Sequence, residues 1–253
     1  MSYPPVIIAT TRKRTALQIV QQAMGEIGMS RPTTLVSGND ETATQLLYLL
    51  NGLGEKLCRL PLWTETRAEW LITTLAATTE YELPADWLVP LVGTTWDRTG
   101  RWPLLGPKTP TEWQYLQSGF GVAAPQYRFR FMNGRFVLFP APAVGLTLVH
   151  EYLSANWVVG LATPSAAQAG VFKSRITADT DYPILDELML ITGLKLAFRE
   201  AKGLDASKVL EEFEQMLEAA WANSNSGSPL SLAPIPSNIF ISEWNLPDTG
   251  YGQ

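Results

Sequence analysis

The sequence predicts an α+β fold in which both ends of the chain form a helical bundle, a β-rich module is inserted between them, and an extended arm follows. Apolar residues recur at helical spacing near both ends, and the middle holds short β-forming segments bounded by Pro, Gly or Asn. The last 31 residues are rich in Ser, Asn, Gly and Pro. The predicted units are residues 1–62 with 177–222 for the bundle, 63–176 for the module and 223–253 for the arm.

Two helices are predicted before the module. From Thr15 to Ile27, apolar residues follow i, i+3, i+4 spacing, and Gly28 is a helix stop. The second helix begins after Asp40, a favourable N-cap. Its internal Gly52 and Gly54 each cost about 1 kcal/mol relative to Ala. We expect these glycines to permit close packing against a neighbouring element.

The module contains six predicted strands and one short helix from Thr111 to Gln117. Asn133-Gly134 separates two of the strands and is the strongest hairpin signal in the chain. This hairpin places Arg128, Arg130 and Arg135 on one face, opposite the aromatic residues. The predicted strands are Glu69–Thr73, Glu80–Leu83, Val89–Trp96, Tyr127–Phe131, Arg135–Phe139 and Thr147–Leu153.

Two more helices are predicted after the module. The first runs from Pro183 to Glu200 with Asp181 as its cap, and the second runs from Leu204 to Trp221. Beyond the second helix, spaced prolines favour an extended path, yet the segment keeps large apolar side chains that a disordered tail lacks. We therefore predict an arm that docks onto a partner or a neighbouring subunit. The core candidates of the first helix are Ile184, Leu188, Ile191, Leu194, Leu196 and Phe198.

Composition excludes several classes of protein. One Cys and one His among 253 residues cannot form an internal disulfide or a four-ligand zinc site. No run of about 18 apolar residues exists, and the N-terminal apolar stretch precedes its charges, the reverse of a signal peptide. We expect the chain to fold in a reducing cytoplasm.

The net charge of −5 is concentrated late in the chain. The segment Asp205–Trp221 has five acids and one base, and the last 31 residues have two acids and no base. The only basic cluster is Arg12-Lys13-Arg14, so a surface that grips DNA is not predicted. Glu211, Glu214 and Glu218 form either a solvated face or, in a ring around DNA, a surface of like charge along which DNA slides.

No residue pattern supports catalysis. His150 lies in a strand pattern without a second His, and Cys58 lies in a Leu-rich helix, so structural roles are favoured for both. Asp179, Asp181 and Asp186 could ligate a hard cation, but helix caps explain the same acids. The glycine-rich nucleotide-binding motifs are absent. We predict no enzymatic activity, no cofactor and no metal site.

The order of these motifs resembles the head-to-tail adaptor proteins of short-tailed bacteriophages, the group called tail tubular protein A or gatekeeper-type connector. The resemblance covers the chain from Thr15 to about Trp221. The matching phrases are TALQIVQQAMGEIGMSRP, EYELPADW, PTEWQYLQ, FVLFPAP, LVHEYLSANW and REAKGLDASKVLEEFEQML.

The resemblance implies a non-enzymatic structural subunit of the virion neck, assembled in the host cytoplasm. Such adaptors form a twelve-subunit ring that joins the portal protein to the tail nozzle or tail tube and extends the channel. DNA passes through that channel during ejection without sequence-specific binding. Glu211, Glu214 and Glu218 would then be channel-lining candidates. The arm would dock onto the portal through Ile235, Ile239, Phe240, Ile241, Trp244 and Leu246.

Two other hypotheses stay open at this point. Trp96, Trp102 and Trp113 suggest a carbohydrate- or protein-binding β-module on a helical stalk. An unrecognised hydrolase is the other hypothesis.

Overall fold

The computed structural model describes residues 13–38, 40–60, 63–119, 126–161 and 170–224. Helices lie near both ends of this part of the chain and antiparallel strands lie in its middle, which confirms the predicted α+β class. No helix in the described part is long and apolar enough to span a membrane. The helices are α1 (Ala16–Ile27), α2 (Glu41–Cys58), α3 (Pro110–Gln117), α4 (Glu187–Ala201) and α5 (Ser207–Ser224).

Helix α1 begins and ends, and helix α2 begins, where local sequence signals predicted. Thr15 and Gln18 form a capping box at the start of α1, and Gly28 ends the helix in the left-handed region at φ +81°. The Asp40 side chain accepts a hydrogen bond from the backbone N–H of Thr42 at the start of α2. Each cap satisfies helix N–H groups that have no partner within the helix.

The two glycines of α2 have different surroundings. The indole of Trp157 lies directly against Gly54, so an added Cβ would overlap its ring atoms, with Cη2 at 2.5 Å. An added Cβ at Gly52 meets no atom within 4 Å. Close packing is therefore confirmed at Gly54, whereas nothing described packs on Gly52.

The start of α4 differs from the prediction. Asp186, not Asp181, caps the helix, and its carboxylate accepts from the backbone N–H of Met189 at 2.9 Å. Asp181 is only 1% exposed and instead accepts from the backbone N–H of Ala178 and from the ammonium of Lys173. The prediction of Asp181 as the cap was wrong, because Lys173 and the backbone of the preceding loop, all within eight residues of Asp181, engage this carboxylate.

Helix α4 is the centre of the bundle and packs against α1, α2 and α5. Gly193 lies where Leu53 of α2 and Phe213 of α5 meet, and both would overlap an added Cβ. Leu188 was predicted to enter the core, but it is 51% exposed because it lies on the outer side of α4. The other core residues predicted for this helix are buried: Ile184 precedes α4, and Ile191, Leu194, Leu196 and Phe198 lie within it.

The strands form three antiparallel sheets. Two of them pack face to face through Ile72 and Leu148 of the first sheet and Phe129 and Phe136 of the second. The first sheet is formed by β1 (Arg67–Thr73), β3 (Trp87–Pro90), β4 (Trp96–Asp97), β5 (Trp102–Pro103) and β8 (Thr147–Ser154). The second is formed by β2 (Glu80–Glu82), β6 (Arg128–Met132) and β7 (Arg135–Phe139). The third is formed by β9 (Val158–Leu161), β10 (Gly170–Lys173) and β11 (Tyr182–Pro183).

The predicted hairpin forms between β6 and β7. Asn133 and Gly134 have φ of +52° and +67°, as a two-residue type I′ turn requires. The strand pairing places Arg128, Arg130 and Arg135 on one face, as predicted. Phe139 shares that face, because it is the cross-strand partner of Arg128. Helix α3 covers the Phe139 end of this face through Trp113.

One predicted strand is divided in two. The segment Val89–Trp96 contains the end of β3 and the start of β4, with a turn between them where Gly93 has φ +84°. The third sheet was not predicted, because its strands are only two to four residues long. Trp157 and Val158, at the start of β9, are fully buried in the core that the helices form.

Candidate functional site

The acidic face of α5 is a continuous solvent-exposed stripe. Glu211, Glu214 and Glu218 are all exposed and follow spacings of three and four residues along the helix. Val209 and Ala220 are buried on the opposite side, where α5 packs onto the bundle. The structure therefore brings the three predicted glutamates together on one face. Their role as channel-lining residues stays a prediction.

The outer face of α1 is a polar trough that the sequence analysis did not single out. It has a volume of about 640 Å³. Arg31 lies over Gly25 at one end, where an added Cβ would meet its Nη2 at 2.9 Å, and Arg14 lies at the other end. The remaining lining residues are Gln18, Gln21, Gln22 and Glu26. We call this surface the α1 trough.

A sequence signal for the α1 trough does exist. The solvent side of α1 carries three glutamines, and two arginines flank the helix at positions 14 and 31. Recognising it requires knowledge that the chain after Gly28 folds back onto α1. The side-chain amide of Gln21 donates to the carbonyl of Pro32 at 2.9 Å, and this hydrogen bond holds the segment after Gly28 against α1.

The predicted portal anchors Ile235, Ile239, Phe240, Ile241, Trp244 and Leu246 lie outside the described residues. What the structure shows is where the described chain ends before them. Helix α5 continues three residues beyond its predicted end, to Ser224. The Ser224 hydroxyl contacts Thr64 at 2.9 Å and Glu65 at 2.7 Å, at the start of the β-rich unit.

His150 is buried within aromatic residues rather than placed at an open site. It is 1% exposed, its Nδ1 lies 2.7 Å from the Thr95 hydroxyl, and the Trp87 ring stacks on it at 5.3 Å. Among the described residues, its Nε2 is buried without a hydrogen-bond partner. Burial lowers the pKa of His150 to about 4, because the charged imidazolium is disfavoured away from water.

The other residues considered for chemistry have structural partners. Asp179 accepts from the backbone N–H groups of Leu35 and Val36, and Asp186 caps α4. Cys58 is buried, and burial raises the pKa of its thiol to about 12, far from that of a reactive thiolate. Within the described ranges, no group of three or more His, Cys, Asp or Glu residues could hold a metal ion.

The three tryptophans that suggested a carbohydrate platform do not share a surface. Trp113 lies on the buried side of α3, where it packs against Val137 and Phe139. Trp102 is 51% exposed and is the cross-strand partner of Asp97, so these two side chains share one face of the sheet. Trp96 immediately precedes Asp97 in the strand and therefore lies on the opposite face. A flat sugar-binding surface needs these rings side by side, so the arrangement does not favour that hypothesis.

Comparison with known proteins assigns a family. The model of the SU10 adaptor protein family matches residues 14–234, which span the helical bundle and the β-rich middle. A search of curated proteins finds no match. A phage adaptor has a structural role in the virion and contacts other head or tail proteins, in agreement with the predicted resemblance at this level. The chain therefore belongs to the SU10 adaptor protein family, the phage adaptors.

Proposed function

We propose that this adaptor is a subunit of a connector ring of the gatekeeper type, which joins the portal to the tail nozzle and extends the DNA channel. The observation that carries the proposal is the family match, because it covers both helical ends and the inserted β-rich unit rather than one local motif. The described His and Asp side chains are engaged in packing and in structural hydrogen bonds, which is consistent with a protein that acts by contact.

The ring proposal includes portal docking by the arm. Support comes from the place where the described chain ends. Ser224 lines a surface cleft of about 540 Å³ together with Lys13, the first described residue. Lys13 and Ser224 thus lie close together at one end of the bundle, and a twelve-subunit ring can present twelve such ends together to a single partner.

The domain division is part of the proposal. The sequence predicts residues 1–62 with 177–222 for the helical unit, 63–176 for the insertion and 223–253 for the arm. Core membership supports a smaller insertion, since Trp157 and Ile176 pack with the helices. We place its limits near Arg67 and Ser154, the outer ends of the paired strands β1 and β8.

Imaging and native mass measurements test the proposed function. Purified protein, alone and mixed with the portal protein, is expected to form a closed ring of twelve copies. A strictly monomeric protein that ignores the portal contradicts the proposal. A chain that ends at Ser224 is expected to stay folded and to lose portal binding, whereas unchanged binding contradicts the role of the arm. In intact virions, the protein is expected in the neck between head and tail.

A further inference from the structure

Three helices of the bundle lie side by side with α4 in the middle. The Lys195 ammonium on α4 donates to Glu26 of α1 at 2.8 Å and lies 3.6 Å from Glu212 of α5. The Lys195 side chain is only 13% exposed, whereas its two carboxylate partners are 40% and 47% exposed. Lys195 therefore pairs with one acid on each flanking helix. The α1 trough and the acidic stripe lie on the sides of α1 and α5 away from the buried residues of those helices.

The outer faces differ in charge. On the α5 side the stripe of Glu211, Glu214 and Glu218 is exposed, with Lys208 one turn before it. On the α1 side, Arg31 is exposed and the Arg14 side chain is 41% exposed. No ion pair is described for Arg31 or for the three glutamates.

Two contacts involving acidic residues reduce the positive charge of the α1 trough without reversing its sign. Glu26 lies at the rim of the α1 trough, but its carboxylate accepts hydrogen bonds from Lys195 and from Gln22, and these bonds lower its pKa. The guanidinium of Arg14 lies 3.8 Å from Glu187, a long contact that leaves donors free. The remaining amides of the trough can donate to a carboxylate.

We propose that the acidic stripe of one copy docks into the α1 trough of the next copy. The inference rests on the proposed ring and names the contact that closes it. A contact between two different faces is heterologous, and heterologous contacts generate rings or filaments. Charge complementarity also fixes the register and disfavours contacts between like faces. The stripe then belongs to the subunit interface and not to the wall of the channel.

Two complementary charge-reversal variants test the contact. The stripe variant carries Glu211→Lys, Glu214→Lys and Glu218→Lys. The trough variant carries Gln18→Glu and Arg31→Glu, and it keeps Arg14 so that its contact with Glu187 is undisturbed. Gln18→Glu also preserves the capping box of α1, which accepts either residue.

Each variant alone places like charges opposite each other at every subunit contact. The amount of ring-sized species, measured by sedimentation at moderate salt, is therefore expected to fall at least about tenfold. An equimolar mixture is expected to recover rings in which the two variants alternate, since both contact types are then complementary. Recovery in the mixture also shows that each variant is folded.

The outcomes separate the inference from the function on which it rests. Wild-type rings together with normal rings from each variant overturn the contact and leave the connector function intact. Variant rings that form normally but slow the passage of DNA overturn the contact and support channel lining. Variants that fail both alone and in the mixture overturn the pairing of these two faces. A wild-type protein that never forms a ring, even with the portal, overturns both proposals.

Discussion

Replacing Gly54 with alanine tests whether Trp157, which follows the inserted β-rich unit, is fixed onto the helical bundle by its packing on this glycine. The Trp157 ring is fully buried against Gly54, and its Nε1 donates to the carbonyl of Ser174 at 2.7 Å. An added methyl group would place Cη2 at 2.5 Å, where carbon atoms prefer about 3.5–4.0 Å. The ring has to move, and its hydrogen bond moves with it. We expect Gly54→Ala to destabilise the fold.

The magnitude follows from three contributions. Overpacking a buried site costs roughly 1–3 kcal/mol. Loss of the Trp157 hydrogen bond to Ser174 adds about 1 kcal/mol. Alanine recovers about 1 kcal/mol through its higher helix propensity. The net effect is a loss of about 2 kcal/mol, which lowers the Tm of a domain of this size by roughly 4–8 °C.

Gly52→Ala is the matched control, because it makes the same change two residues away in the same helix. An added Cβ there meets nothing within 4 Å, so only the propensity gain remains. We expect a stabilisation of about 0.5–1 kcal/mol. The two variants should therefore differ by roughly 3 kcal/mol in opposite directions.

Thermal and urea unfolding at one fixed protein concentration measure both variants, since assembly would otherwise couple to the apparent stability. A second measurement places Gly54→Ala in a Trp157→Phe background, where the smaller ring leaves room. The alanine should then cost less than in the wild type, which double-mutant analysis detects as coupling. A Gly54→Ala protein as stable as the wild type would refute the proposed packing.

Three further predictions concern the β-rich unit and its junction. Because the pKa of His150 is lowered to about 4 from 6.5 in the folded state, the unfolded chain binds the proton first as the pH falls. Stability is full above about pH 6.5 and should drop by about 2 kcal/mol by pH 5, and His150→Phe should remove that dependence in denaturant titrations. Asp181→Ala leaves two backbone N–H groups and Lys173 without their acceptor, so a loss of about 3 kcal/mol is expected by urea unfolding, and a change under 1 kcal/mol would contradict it. Gly134→Ala adds a Cβ that meets nothing within 4 Å, so its cost of about 1 kcal/mol, measured by calorimetry, comes from the positive φ alone.

The elements that the sequence predicted well are those whose signals are local. The apolar spacing from Thr15 to Ile27 with its stop at Gly28, and the turn at Asn133-Gly134, are each visible within a short stretch of sequence. Such signals act before any tertiary contact forms. Their bounds in the structure match the prediction to within one residue.

The elements that were missed have no periodic signal in the sequence. Asp181 is a residue type that often caps helices, but Lys173 and the backbone of the preceding loop engage it instead. These partners lie within eight residues, yet only the fold of the loop turns their donors toward the carboxylate. The short strands β9 and β11 pair with each other across more than twenty residues and carry too few positions to show a period, so pattern reasoning could not place them.

The candidate surfaces show the same division between local and distant information. Helical spacing alone put Glu211, Glu214 and Glu218 on one face of α5, and the structure agrees. The position of α1 on the other side of α4 could not be predicted, since it depends on helix packing across the inserted unit. Lys195 pairs with Glu26 and Glu212, so the charges that these two helices leave unpaired lie on the acidic stripe and in the α1 trough. On the proposed contact, each copy presents its stripe to one neighbour and its trough to the other, which is the heterologous pairing that generates a ring of identical subunits when the rotation closes.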